Sequence, residues 1–168
     1  MPLSTLCLRC GMCCDGTLFT HVSLQPEEAS ALRRRGVPLL QREEGPPVLA
    51  QHCSALDGRT CTVYADRPAS CRRYHCQLFS ALSEKEVSLD EALGLVDEAH
   101  ARIAAVERAL PPATATTEDA PRSVMQRARQ AAAKATPDQP LSPQVQEAQA
   151  RAESFLDKHF RGRFGQRG

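Results

Sequence analysis

The sequence predicts an α+β fold: a small cysteine-rich domain with a short hairpin and helices, followed by a helical C-terminal extension. Three observations predict it. All eight cysteines lie between Cys7 and Cys76 of a 168-residue chain. Among them, short alternating stretches and an Asp57-Gly58 turn signal read as strands. From Ser88 onward, apolar residues recur at helical spacing behind clear helix-start signals.

The chain opens on Cys7-Leu8-Arg9-Cys10-Gly11-Met12-Cys13-Cys14. Cys7, Cys10 and Cys13 stand three apart, the spacing that wraps one metal centre in zinc knuckles and bacterial-type ferredoxins. Two-residue spacers let the chain turn tightly, so successive sulfurs converge, and Gly11 can supply a positive φ. Cys14 fits this less simply, because adjacent side chains diverge. Either Cys13 and Cys14 serve different metals, or one of them is a redox or supporting thiol. The plainer alternative is that these cysteines are small buried hydrophobes.

Thr17 to Ser23 alternates and reads as a short strand. Pro26-Glu27-Glu28 opens a helix, with proline in the first turn and acids at the positive end, and Gly36 closes it. Val48 to Tyr64 reads as a hairpin around Asp57-Gly58, with Val48-Leu49-Ala50 and Thr60 to Tyr64 as arms that bring Cys53 and Cys61 close. Cys71 to Cys76 reads as a compact turn or short helix. Ser88-Leu89-Asp90-Glu91 is a capping box. Behind it Leu89, Ala92, Leu93, Val96, Ala99, Ile103, Val106 and Leu110 mark one helical stripe that ends at Pro111-Pro112, a packing face for the cysteine domain. Ser142-Pro143 starts a last helix whose stripe is Val145, Ala148, Ala152, Phe155, Leu156 and Phe160.

These elements divide the chain into residues 1–110, a cysteine-cluster metal-binding domain with its packing helix; 111–143, a Pro/Ala-rich linker with a short helix near 122–135; and 144–168, an amphipathic helix and a basic tail. Composition bounds the function. Aromatic residues make up 4% of the chain, with no Trp, so the core is thin and metal ligation is expected to supply part of the folding energy. A net charge of +1 argues against a polyanion-binding surface, so no nucleic-acid partner is expected. No apolar run approaches the ~20 residues of a membrane span, and no membrane partner is expected. The N-terminus lacks a secretory signal, so a cytoplasmic protein is expected, in which clustered thiols bind metal rather than pair.

The later cysteines read Cys53, then Cys61-Thr62-Val63-Tyr64-Ala65-Asp66-Arg67-Pro68-x2-Cys71-Arg72-x-Tyr74-x-Cys76. Together with Cys7-x2-Cys10-Gly11-x-Cys13-Cys14, this order resembles the YkgJ-type cysteine-cluster family, known by the pattern CxxCxxCC, over about residues 5–80. The resemblance implies zinc or iron chelation by Cys7, Cys10, Cys13, Cys14, Cys53, Cys61, Cys71 and Cys76. A flagellin lysine N-methylase associated with an iron–sulfur cluster and S-adenosylmethionine looks like a relative, but no residue here carries that activity over.

The bound group is expected to be an iron–sulfur cluster or zinc, since an all-thiolate set selects soft or borderline metals. Redox or methyl-transfer chemistry is one reading. The alternatives are a structural zinc module that binds a protein partner through the C-terminal helices, and a metal carrier. Cys7, Cys10, Cys61, Cys71 and Cys76 are expected to unfold the domain when replaced, and Cys14 to be more tolerant. Arg67, Arg72 and Arg73 are candidates to offset thiolate charge, and His52 and His75 are alternative ligands. There is no Gly-rich phosphate loop, GxSxG elbow or HExxH, so phosphoryl transfer, ester hydrolysis and zincin proteolysis have no support.

Overall fold

The computed structural model describes residues 1–112 and 123–161. It is an α+β fold dominated by helices. The first cysteines do not sit on an open knuckle loop: Pro2–Cys10 is a helix, α1. Its apolar positions Leu3, Leu6, Cys7 and Cys10 follow the i, i+3, i+4 rule once cysteine is counted as a hydrophobe. Gly11 ends it at φ 69°. A Cβ there would meet the backbone of Arg59 at 2.9 Å, so both the dihedral and the close approach call for glycine.

Strand β1 (His21–Ser23) is shorter than its alternation suggests. The chain just before it is held in a turn, with the Thr17 N–H donating to Asp15 Oδ1 at 2.7 Å and the Leu18 N–H to the Met12 carbonyl at 3.2 Å. β1 pairs antiparallel with β2 (Val48–Ala50), Val22 opposite Leu49. The expected long hairpin is therefore divided. Its first arm joins β1, and only Leu56–Asp57 (β3) and Thr60–Cys61 (β4) pair around Gly58, with Leu56 opposite Cys61. The residues from Tyr64 turn instead into a 3₁₀ segment, Tyr64–Asp66. Between β1 and β2 runs helix α2 (Pro26–Arg34), with Gln25 and Glu28 in a reciprocal cap and Gly36 following at φ 76°.

Two short helices follow, α3 (Ala69–Arg73) and α4 (Gln77–Ser83), and the Cys76 sulfur accepts the first-turn N–H of Phe79. Helix α5 (Leu89–Ala109) starts at the Ser88 capping box and buries Ala92, Val96, Ala99, Ile103 and Val106. Helix α6 (Val124–Lys134) is capped by Ser123 and buries Met125 and Ala128. Helix α7 (Pro143–Leu156), capped by Ser142, runs on into a π-type turn over Asp157–Arg161. The basic stretch beyond Arg161 lies outside the described residues.

Two apolar clusters organise these elements. The larger gathers α1, α4, α5, α6 and α7 around Leu6, Met12, Val96, Val106, Met125, Leu156 and Phe160. The smaller gathers β1, α2 and β2 around Val22, Leu24, Leu32 and Leu49. Burying each large side chain contributes roughly 1.5–3 kcal/mol. The larger cluster therefore supplies most of the apolar stabilisation.

The C-terminal helices also reach back to the cysteine loop through polar groups. Arg161 is only 6% exposed. Its guanidinium meets Glu153 at 2.6 Å and Asp157 at 3.1 Å, and donates to the Thr17 carbonyl at 2.9 Å. Arg129 meets the other oxygen of Glu153 at 2.7 Å and donates to the same Thr17 carbonyl at 3.0 Å. Gln126 donates to the Gln51 carbonyl at 2.9 Å and lies against Gly16, where a Cβ would meet its side chain at about 2.5 Å. No helix among the described residues is long and apolar enough to cross a membrane.

Candidate metal centre

All eight cysteines line one enclosed cavity of about 110 Å³, and all are free thiols. They arrive on six local devices. Cys7 and Cys10 lie one turn apart on α1, and Cys13 and Cys14 on the turn after Gly11. Cys53 follows β2, Cys61 ends β4, Cys71 sits on α3 and Cys76 caps α4. The β3–β4 hairpin is held to α1 by the Thr60 hydroxyl, which donates to the Leu8 carbonyl at 3.3 Å. The Cys53 N–H donates to the Cys14 carbonyl at 2.7 Å, fixing those two residues side by side.

The thiols fall into two neighbourhoods. Cys10 and Cys13 both lie within electrostatic reach of Cys7 and Cys76. Cys14 is hydrogen-bonded to Cys61 and near Cys13 and Cys53, and Cys71 is near Cys53 and Cys61. Packing divides them in the same way. Cys10, Cys13 and Cys76 pack on the larger apolar cluster, and Cys14, Cys53 and Cys71 on the smaller. Adjacent residues Cys13 and Cys14 thus point to opposite neighbourhoods, as neighbours on an extended or turning chain do.

A backbone pattern repeats in both. An N–H two residues on is directed at the sulfur of Cys10 (from Met12), Cys53 (from Ala55, at 3.4 Å) and Cys61 (from Val63), whereas Cys76, the N-cap of α4, accepts chiefly from Phe79 three residues on, at 3.3 Å. Such N–H groups stabilise a thiolate over a thiol. Burial works against them. It pushes Cys10 and Cys13 well above the usual thiol range and raises Cys71 and Cys76 to about 11. Burial also raises Cys7, against a hydrogen bond from Tyr64 and the charge of Arg67. In the Cys14–Cys61 pair the shared hydrogen bond raises Cys14 and lowers Cys61. Held as thiolates, this many buried sulfurs would need a cation to offset their charge.

The donor set fits a soft or borderline metal, since eight sulfurs and no carboxylate dominate the cavity wall. Among the described residues, no three His, Cys, Asp or Glu side chains are already drawn together at ligating spacing. The thiols line the wall, and closing them on an ion calls for side-chain rotation.

The surrounding residues sort themselves plainly. Arg67 lies over the Tyr64 ring at 3.7 Å, donates to the Tyr64 carbonyl at 2.6 Å, and acts electrostatically on Cys7, Cys61 and Cys71. Arg72 lines the cavity but spends its guanidinium on the Arg67 and Ala65 carbonyls. Arg73 bonds the Ser70 hydroxyl at the surface, and His75 stacks on Phe79 at 4.3 Å.

Sequence reasoning missed two groups. His100, on α5, has its Nε2 2.7 Å from the Cys10 carbonyl, so it is not the isolated histidine its sequence neighbours suggest. Asp15 is half-buried beside Cys10 and Cys13, and burial raises its carboxyl. Only its place directly after Cys14 could have marked it.

The fold and cavity define a small α+β protein built around clustered thiols. The family described as "CxxCxxCC: Putative zinc- or iron-chelating domain" matches residues 6–92. The chain belongs to that family, and zinc or iron is the metal class the family describes. No curated protein and no solved structure matched the chain.

Proposed function

We propose that this chain is a thiolate metalloprotein in which Cys7, Cys10, Cys13, Cys14, Cys53, Cys61, Cys71 and Cys76 hold zinc or an iron–sulfur cluster. The observation that carries the reading is the convergence of all eight thiols on one enclosed cavity, three of them with an i+2 N–H and Cys76 with an i+3 N–H directed at sulfur. Packing alone gives no reason for that repeated N–H···S geometry. Metal-bound thiolates do, because each such bond lowers the charge that the sulfur must carry.

Within this reading an iron–sulfur cluster with a redox role is favoured by the apolar surroundings and the N–H···S bonds. These are the features that set a cluster's potential. Bound as zinc, the same sulfurs would form closed, structural sites. A partner-binding role for the C-terminal helices has less behind it: Val145, Ala152, Leu156 and Phe160 bury the apolar stripe in the chain's own core. Anaerobic purification followed by metal analysis and a visible spectrum tests the reading. Stoichiometric iron with a broad visible band that bleaches under dithionite is the expected result. Stoichiometric zinc without that band would keep metal binding and remove the redox role. A colourless chain that takes up neither metal would overturn the reading.

A further inference from the structure

We propose that the eight thiols form two separate four-thiolate centres, Cys7/Cys10/Cys13/Cys76 and Cys14/Cys53/Cys61/Cys71, joined through the Cys13–Cys14 peptide bond. This rests on the metal-binding reading above and divides its ligands between two centres.

Two observations carry the division. The first is neighbourhood: Cys10 and Cys13 each lie near Cys7 and Cys76, and Cys14 and Cys71 each lie near Cys53 and Cys61, with Cys14 also beside Cys13 where the two groups meet. The second is packing. Cys10, Cys13 and Cys76 belong to the cluster built by α1 and α4–α7, whereas Cys14, Cys53 and Cys71 belong to the one built by β1, α2 and β2. A backbone N–H also reaches sulfur in both groups, from Phe79 to Cys76 Sγ at 3.3 Å in the first and from Ala55 to Cys53 Sγ at 3.4 Å in the second.

Four sulfurs complete a tetrahedral site for zinc, or the cysteine set of an iron–sulfur cluster. Eight on one mononuclear ion is not a chemical option. The doublet Cys13-Cys14 then has a physical explanation. Adjacent side chains diverge, so a Cys-Cys pair at the boundary serves two centres without strain, where one centre would distort the backbone. Cys14 is not a spare thiol on this division but a full member of the second centre. The two centres also differ in construction. The first hangs on α1 and α4 within the helical core; the second is made of loop, hairpin and short-helix residues. The second centre should therefore exchange its metal faster.

The test uses zinc as the probe on the full-length, fully reduced chain. The wild type is expected to bind about two zinc ions. Cys10→Ser and Cys53→Ser should each retain about half of that. Cys10→Ser with Cys76→Ser should lose no more than Cys10→Ser alone, and Cys10→Ser with Cys53→Ser should lose nearly everything. A second readout does not depend on whether the variants fold. As a chelator withdraws zinc from the wild type, alkylation followed by fragment mass analysis should label Cys14, Cys53, Cys61 and Cys71 together first. Cys7, Cys10, Cys13 and Cys76 should follow as a second set. Failure of the wild type to bind zinc or iron at all would overturn the metal-binding reading itself. Zinc bound by the wild type but lost completely in every single variant, or alkylation that mixes the two sets, would leave that reading intact and overturn the division.

Discussion

Replacing Glu153 with alanine should unlatch the C-terminal helices from the cysteine loop. Glu153 is the one carboxylate that accepts from both Arg129, at 2.7 Å, and Arg161, at 2.6 Å, and both arginines also hold the Thr17 carbonyl. Arg161 is 6% exposed, so its charge cannot turn to water when its partner is removed. Breaking a buried pair from one side costs about 3–5 kcal/mol, and the remaining contacts to Asp157 and Thr17 place this case near about 3 kcal/mol.

For a chain of this size that is a fall in thermal midpoint of roughly 6–12 °C, read by circular dichroism. Acid should remove the same stabilisation from the wild type. Burial alone would raise the Glu153 carboxyl, but the two arginines outweigh it and hold it below the usual carboxylate range. A depressed native value contributes stability above the unfolded value of about 4.3, and that contribution is lost as pH falls through the native value. The gap between wild type and Glu153→Ala should therefore close below pH ~4. A change under about 1 kcal/mol at neutral pH, the scale of a surface pair, would refute the reasoning.

Other outcomes follow from the same structure. Gly11→Ala should destabilise by roughly 1–3 kcal/mol, because φ is 69° and the new Cβ would meet Arg59 backbone at 2.9 Å; a denaturant midpoint within error of wild type would contradict this. Ser88→Ala removes the hydroxyl that accepts the Glu91 N–H at 3.1 Å, so it should cost about 1 kcal/mol in a thermal melt. Stripping metal with a chelator under reducing conditions should lower the thermal midpoint by several degrees, since metal held by the native thiols is folding energy. An unchanged melt would mean that the thiols contribute nothing through metal.

The sequence made the long helices legible because each satisfied several local rules at once. α5 has its capping box, its stripe and its terminal proline, and α7 has Ser142-Pro143 and a stripe ending at Phe160. The membership of the cysteine set was legible for a similar reason, since spacing and motif agreed. Pairing was not. Val48–Ala50 could have paired with Thr60–Tyr64 or with β1, and only the tertiary position of α2 decides between them. The helix α1 was hidden because cysteine was read as a potential ligand and not also as an apolar residue on a helix face. Arg161 looked like the start of a basic tail. Its partners Asp157 and Glu153 lie one and two turns back on the same helix, but its burial depends on Thr17, 144 residues away. The grouping of the thiols was illegible for the same physical reason: Cys76 joins Cys7, Cys10 and Cys13 only once α4 packs on α1.

X-ray absorption at the metal edge of the anaerobically purified protein addresses the central claim most directly, because it reports which atoms touch the metal. The account predicts a first shell of sulfur alone, at about 2.3 Å if the metal is zinc. A shell dominated by nitrogen or oxygen would contradict it, since it would place the metal somewhere other than among the eight thiols.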